Sequence, residues 1–199
     1  MNQTLTRKQF DILSILAEEK GTLSQRQLGE KSGHSLGTVN RVMQELTELQ
    51  YVTEGEITGA GISALEPYRA KRAIFIAAGF GSRLVPITFN TPKPLVRVHG
   101  QRIIDGLIDA CLDAGINEIY IVRGYLAEQF DQLLYKYPMI RFLENPVYNE
   151  ANNISSAMVA RYMLSNAYVF EADLLISNPK IITKYHYTSD FLAIKKDRT

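Results

Sequence analysis

Residues 73–78, Ala-Ile-Phe-Ile-Ala-Ala, form an unbroken apolar run that passes without a spacer into Gly79-Phe80-Gly81-Ser82-Arg83. A short, wholly apolar run suits a strand buried on both faces, as in a sheet covered by helices. The glycines that follow lack the Cβ atoms that keep backbone amides away from a polyanion, and consecutive N–H groups can then form an anion nest. Any fold for this chain must therefore contain a buried strand whose carboxyl end opens into a glycine turn.

The residues downstream continue that logic. Ile103, Ile104, Leu107, Ile108 and Cys111 share one side of a predicted helix over 103–114, with Gly115 as its stop. Strands are expected at 118–122, 140–143, 168–170 and 191–194, and helices at 127–137 (stopped by Pro138) and 155–164. Strands alternating with helices imply right-handed crossovers and an α/β fold with a Rossmann-like, mostly parallel sheet. Ligands of such sheets bind outside the carboxyl ends of the strands.

Upstream the pattern differs in kind. In 6–19, Phe10, Leu13, Ile15, Leu16 and Ala17 lie mostly on one helical face. Ser24, with Gln27 three residues on, has the form of a capping box for a second helix. Ser32-Gly33-His34 reads as a tight turn. Ser35 or its neighbour then opens a third helix carrying Val39, Val42, Met43, Leu46 and Leu49. Glu54-Gly55, between Tyr51-Val52-Thr53 and Glu56-Ile57-Thr58, predicts a β-hairpin.

Three helices and a hairpin follow the order of a winged helix-turn-helix, and residues 22–49 resemble that superfamily in the turn glycine and in the Ser35-x-x-Thr38-Val39-x-Arg41 opening of the third helix. A small winged-helix domain is therefore expected over 1–68. On DNA, its Ser35, Thr38, Asn40 and Arg41 would face the major groove. Residues 1–70 hold 7 Lys/Arg against 9 Asp/Glu, so little counterion release would drive such binding. A regulatory or dimerising role without DNA stays open. Gly59, Gly61 and Pro67 suggest a hinge before the second domain, expected over 72–199.

That second part carries 15 Lys/Arg against 12 Asp/Glu, a balance suited to a phosphate-bearing ligand. No segment approaches the roughly 18 apolar residues of a membrane span, so a cytoplasmic protein with no membrane partner is expected. With Cys111 as its single cysteine the chain can form no internal disulfide or thiolate cluster, and Cys111 is expected to be buried. His34, His99 and His186 show no metal-ligand spacing and are expected to be structural or exposed.

Within 73–100, Arg83 adds a fork of donors and Lys93 sits between Pro92 and Pro94 on a stiffened backbone. Leu84 stands where a dinucleotide fingerprint needs its third glycine, and no Gly-Lys-Ser/Thr is present for a Walker loop. The stretch AAGFGSRLVPITFNTPKPLVRVHG instead resembles the signature of the sugar-phosphate and choline-phosphate nucleotidylyltransferases, over roughly residues 72–199. The resemblance implies that Ala78, Gly79, Phe80, Gly81 and Ser82 approach a nucleoside triphosphate. It gives Arg83 the leaving phosphates and Lys93 a bridging role at the reacting centre. Asp173, in Glu171-Ala172-Asp173, matches the family's metal-binding aspartate and would hold Mg²⁺, with Glu171 the weaker alternative.

ENPVYNEANNISSA, residues 144–157, resembles the corresponding loop of the bacterial choline-phosphate cytidylyltransferases. Amides both donate and accept, as reading a cytosine edge requires, so Asn145, Asn152 and Asn153 are the base-reading candidates. CTP as donor and phosphocholine as acceptor are thereby favoured. The alternatives are a sugar-1-phosphate uridylyl- or thymidylyltransferase, and a winged-helix regulator whose transferase domain only senses nucleotide. Tyr125 and Tyr148 suit either a choline cage or simple packing. Members of the family continue beyond the equivalent of Thr199 with a second metal-binding Asp and part of the acceptor pocket; Asp190 and Asp197 come too early to match it. The domain is thus expected to be short at its carboxyl end, with uncertain turnover and an open sheet edge that favours a homodimer.

Overall fold

The computed structural model describes residues 4–19, 22–151 and 153–191. By packing, the chain divides into two compact units: Ala70–Lys184, and Met1–Arg69 together with the segment from Tyr185.

The first unit contains α1 (Arg7–Glu18), α2 (Gln25–Ser32), α3 (Leu36–Glu48), and a hairpin of β1 (Val52–Thr53) and β2 (Glu56–Ile57). Side chains cap each of the three helices at its start. Thr6 and Ser24 form capping boxes with Gln9 and Gln27, and the Ser35 hydroxyl accepts from the Thr38 amide. Glu54 and Gly55 are both left-handed, at φ 52° and 82°, the geometry that lets a two-residue turn follow the twist of its strands. Phe10, Leu13, Leu16, Leu28, Val39, Val42, Leu46 and Val52 fill the core.

The expected hinge is instead a helix, α4 (Gly59–Leu65). Thr58 caps it by accepting from the Gly61 amide at 3.1 Å, and Leu65 is fully buried. A Cβ on Gly61 would lie 2.3 Å from the Tyr51 carbonyl oxygen. This glycine therefore serves close packing and not flexibility. Tyr185 is buried in the same core, and the Tyr187 ring stacks on Tyr68 at 5.5 Å while its hydroxyl donates to the Leu5 carbonyl at 3.2 Å. Aromatic burial thus seats Tyr185 and Tyr187 in this unit. Phe191 lies in no strand, and the rest of the strand expected there is outside the described residues.

The second unit comprises β3 (Arg72–Ile76), the hairpin β4 (Arg97–Val98) and β5 (Gln101–Arg102), α5 (Ile103–Asp113), β6 (Glu118–Arg123), β7 (Arg141–Glu144), α6 (Asn153–Val159) and β8 (Ala167–Glu171). Among the described residues its main sheet is four-stranded and parallel, in the order β7-β6-β3-β8. Phe75, Ile104, Leu107, Ile108, Ile121, Phe130 and Leu133 pack in its large core, while Ile74, Tyr120, Val122 and Ala160 form a smaller cluster. Neighbours along β3 thus enter different clusters, the two-sided burial its apolar run predicted. Ile76 is level with Val122 on one side and Glu171 on the other, so the carboxyl ends share one edge.

Local geometry departs from expectation in three places. The helix expected at 127–137 is a 3-10 helix, Ala127–Tyr135, in which Phe130 and Leu133 are fully buried. Side chains three apart eclipse at three residues per turn, so this pair sits on one face. The helix expected at 155–164 is split into α6 and a 3-10 turn, Arg161–Met163. The β4–β5 hairpin was not anticipated; its turn residues His99 and Gly100 are left-handed at φ 49° and 86°. Among the described residues no helix is long and apolar enough to cross a membrane.

Candidate functional site

The ladder of β3 continues past Ile76. Ala77 donates its amide to Val122 O at 2.9 Å, Ala172 to Ile76 O at 3.2 Å, and Tyr125 to Ala78 O at 3.1 Å. These bonds pin the start of the glycine turn to the carboxyl edge of the sheet, between the segments that follow β6 and β8. Ala78 is buried, whereas Gly79 and Phe80 are exposed. Gly81 is left-handed at φ +70° and leads into a 3-10 turn, Ser82–Leu84, closed by the Leu84 amide on Gly81 O at 3.0 Å. Ser82 and Arg83 face solvent.

The two glycines have different reasons. A Cβ on Gly81 would come within 3.1 Å of the Thr88 methyl and 3.2 Å of Lys93 Cβ, in a backbone conformation that already disfavours side chains. Gly79 has no positive φ, and a Cβ there would meet nothing within 4 Å. Packing explains Gly81; at Gly79 the missing side chain leaves open space in front of the turn.

Lys93 begins a 3-10 turn, Lys93–Leu95, between the buried Pro92 and Pro94. Its ammonium donates to Asp173 Oδ2, and both side chains are partly buried, at 27% and 29% exposure. Asp173 follows β8, so residues 80 apart in sequence meet beside Gly81. Glu171 points elsewhere and accepts from Asn153 Nδ2 at 2.7 Å. No group of three or more His, Cys, Asp or Glu side chains converges to hold a metal among the described residues. One carboxylate at this edge still fits Mg²⁺, a hard cation that is commonly held by one or two carboxylates together with substrate phosphates.

The base-reading candidates separate. Asn145 is buried, with 2% exposure; its amide donates to Ser155 Oγ at 2.9 Å and Ser156 Oγ at 3.0 Å, and its oxygen accepts from the Val147 amide at 3.2 Å. A buried amide must be satisfied internally, and this one closes its own loop. Asn153 is exposed at the start of α6. Asn152 lies outside the described residues.

Sequence reasoning passed over Thr88. It is fully buried, and its hydroxyl donates to Gly81 O at 3.1 Å. A lone threonine in a loop carries no pattern; its apolar neighbours Ile87 and Phe89 were the one clue. Beside the turn, the Phe80 and Tyr125 rings lie 4.5 Å apart and the Tyr125 hydroxyl donates to Phe89 O at 3.2 Å. Tyr148 packs over Gly124, where a Cβ would come within 2.7 Å of the ring. Cys111 is buried, and burial pushes its thiol up to about 12.

In the first unit Ser35, Asn40 and Arg41 are exposed and Thr38 is half-buried. Ser35 is engaged as the α3 cap, and Arg41 lies 3.6 Å from Glu45. The hairpin that forms the wing carries Glu54 and Glu56 and no cation. Of the histidines, His34 bonds Asp11 at 3.0 Å, His186 bonds Asp190 at 3.0 Å, and His99 is exposed at its turn. Asp197 lies outside the described residues.

Residues 5–53 match the sequence model of a winged helix-turn-helix DNA-binding domain. A 2-aminoethylphosphonate cytidylyltransferase of Lancefieldella rimae is 46% identical over 111 residues, covering 55% of this chain and 45% of that protein. A choline-phosphate cytidylyltransferase of Streptococcus pneumoniae is 45% identical over 102 residues, covering 51% and 44%. A CTP:phosphoglutamine cytidylyltransferase of Campylobacter jejuni is 39% identical over 110 residues, covering 55% and 44%. The chain thus spans slightly less than half the length of these relatives. Residues 72–189, more than half of the chain, match the sequence model of the nucleotidyl transferases. The chain, with its parallel sheet and glycine turn, belongs to the nucleotidyl transferase family.

Proposed function

We propose that the second unit binds a nucleoside triphosphate, CTP by preference, and transfers the nucleotidyl group to a phosphorylated small molecule, phosphocholine by preference, releasing pyrophosphate. The observation that carries this reading is the meeting of Lys93 and Asp173 beside Gly81, at the edge where β3, β6 and β8 end. A turn with accessible amides, an ammonium and a carboxylate are the parts that polyphosphate chemistry needs in one place. The open space at Gly79 lends further support, since it leaves room for phosphate against the backbone. All three relatives named above are cytidylyltransferases, which supports CTP. Their acceptors differ, so the preference for phosphocholine rests on the Asn-rich segment.

In this reading an acceptor phosphate oxygen attacks the α-phosphorus in line. The bond from that phosphorus to the bridging oxygen of the β-phosphate breaks, and pyrophosphate departs with the electron pair. No covalent enzyme intermediate is required, so positioning and charge stabilisation carry the rate. The amides of 79–83 and the Arg83 guanidinium hold the leaving phosphates, and Lys93 takes an oxygen of the α-phosphate. Mg²⁺, held on Asp173 and phosphate oxygens, would neutralise charge building at the α-phosphorus. Asn145 acts as a positioning residue for 145–156, and Asn153 and Asn152 remain the amides proposed to contact the base.

Pyrophosphate release tests the reading, with CTP, UTP or dTTP against phosphocholine, 2-aminoethylphosphonate or glucose 1-phosphate. CTP with one of the first two acceptors is the expected active pair. Turnover confined to UTP and glucose 1-phosphate would remove the choline assignment. A second reading, DNA recognition by α3, is supported by the match to a winged-helix DNA-binding model and by the exposure of Asn40 and Arg41. It calls for salt-sensitive binding to a duplex that Arg41→Ala weakens.

A further inference from the structure

We infer that Lys93 masks Asp173 in the ligand-free protein, so that divalent cation and nucleotide enter the site together and each strengthens the binding of the other. This inference rests on the functional reading above and concerns the order in which that site is charged.

The mask is the ion pair itself. A divalent cation approaching Asp173 meets a carboxylate already neutralised by an ammonium, and must displace that ammonium or share the oxygens with it. Partial burial of both partners leaves their attraction less screened than that of a surface pair. Glu171, the nearest carboxylate in sequence, is engaged by Asn153, and no cluster of three metal-ligating side chains forms among the described residues.

The same geometry supplies the release. The Lys93 backbone is held between two prolines and against Gly81, so the ammonium stays within reach of the glycine turn. Its four-carbon stem is free to swing. A polyphosphate in that turn offers the ammonium several anionic oxygens in place of one carboxylate. As Lys93 moves onto phosphate, Asp173 is uncovered for the cation that the phosphates bring with them. One ion pair is exchanged for two, and no charge is left unpartnered along the way. By linkage, whatever the nucleotide adds to cation affinity the cation must add to nucleotide affinity.

Mn²⁺ serves as the probe for Mg²⁺, with free Mn²⁺ followed by electron paramagnetic resonance in the absence of nucleotide, and circular dichroism checks the fold of each variant. Lys93→Gln is expected to bind Mn²⁺ about tenfold more tightly than the wild type, a factor within the usual range for coupled sites. Lys93→Arg, which keeps a cation over the carboxylate, is expected to stay at the wild-type level. Adding Asp173→Asn to Lys93→Gln should abolish the gain. Equal Mn²⁺ binding by wild type and Lys93→Gln would overturn the mask, as would a gain that survives in the double variant. A parallel titration of CTP with Mg²⁺ into the wild type separates the two ideas. Failure to bind there, with the Mn²⁺ pattern intact, would remove the nucleotide reading and leave the mask standing.

Discussion

The Thr88 hydroxyl, fully buried, donates to the carbonyl of Gly81 at 3.1 Å. This bond ties the glycine turn to the 3-10 turn Ile87–Phe89, seven positions on in the chain. Thr88→Val keeps the shape and removes this bond, leaving Gly81 O with the Leu84 amide as partner, so a loss of about 0.5–1.5 kcal/mol is expected. Thr88→Ser should recover most of it. Urea unfolding measures the stability of both variants, and a CTP titration should show weaker binding for Thr88→Val alone; equal binding by the two would remove the positioning role.

Gly79 and Gly81 should respond differently to the same change. Gly81→Ala places a Cβ at φ +70° within 3.1 Å of Thr88 and is expected to cost about 1–2 kcal/mol of stability. Gly79→Ala meets no neighbour and should leave stability within about 0.5 kcal/mol, yet weaken triphosphate binding. If Gly79→Ala binds CTP as tightly as the wild type, the open space there is not a phosphate approach.

Asp105 accepts from Arg102 Nε through both carboxylate oxygens, at 3.0 and 3.1 Å, and both side chains are under 10% exposed. Asp105→Ala would leave a buried guanidinium without its counter-charge and is expected to cost about 3–5 kcal/mol. Replacing the pair together, Arg102→Met with Asp105→Leu, should cost clearly less. Thermal unfolding of the three proteins checks the ordering.

Burial raises the Cys111 thiol from its ordinary 9.0 to about 12. Below pH 9 the thiol is protonated in both folded and unfolded chains and contributes its full share of stability. As pH rises from about 9 toward 12 the unfolded chain loses that proton first, so this contribution declines and is lost above the folded value. The stability difference between wild type and Cys111→Ala should therefore shrink over that interval. A thiol reagent at neutral pH should label Cys111 only after unfolding, and rapid labelling of the native protein would contradict its burial.

Much of this architecture was legible because its signals are local. The apolar run ending in glycine placed β3 and its turn, the spacing of Ile104, Leu107, Ile108 and Cys111 placed α5, and Ser24 with Gln27 marked the start of α2. What escaped depends on contacts distant in sequence or on choices that spacing leaves open. Phe130 and Leu133 share a face at either helical pitch, so the pattern could not separate an α-helix from the 3-10 helix that forms. Gly61 read as a hinge because nothing nearby reveals that the Tyr51 carbonyl occupies the space of its Cβ. The bond from Tyr187 to Leu5 spans 182 residues and leaves no local trace. At the candidate site, resemblance supplied Lys93 and Asp173 one at a time; their pairing across the sheet edge, and the engagement of the Asn145 amide, emerged only with the fold.

The amide of Ala70 donates to the carbonyl of Lys184 at 2.9 Å, so the second unit starts and finishes side by side. A domain whose two ends are neighbours can be lifted out of its host as a closed bead, and the host rejoined by a short splice. The winged helix is the part that such surgery would wound if cut carelessly. A piece ending at Arg69 forfeits Tyr185 and Tyr187 and bares Phe10 and Tyr68 to water. A graft that joins Arg69 to Tyr185 keeps them.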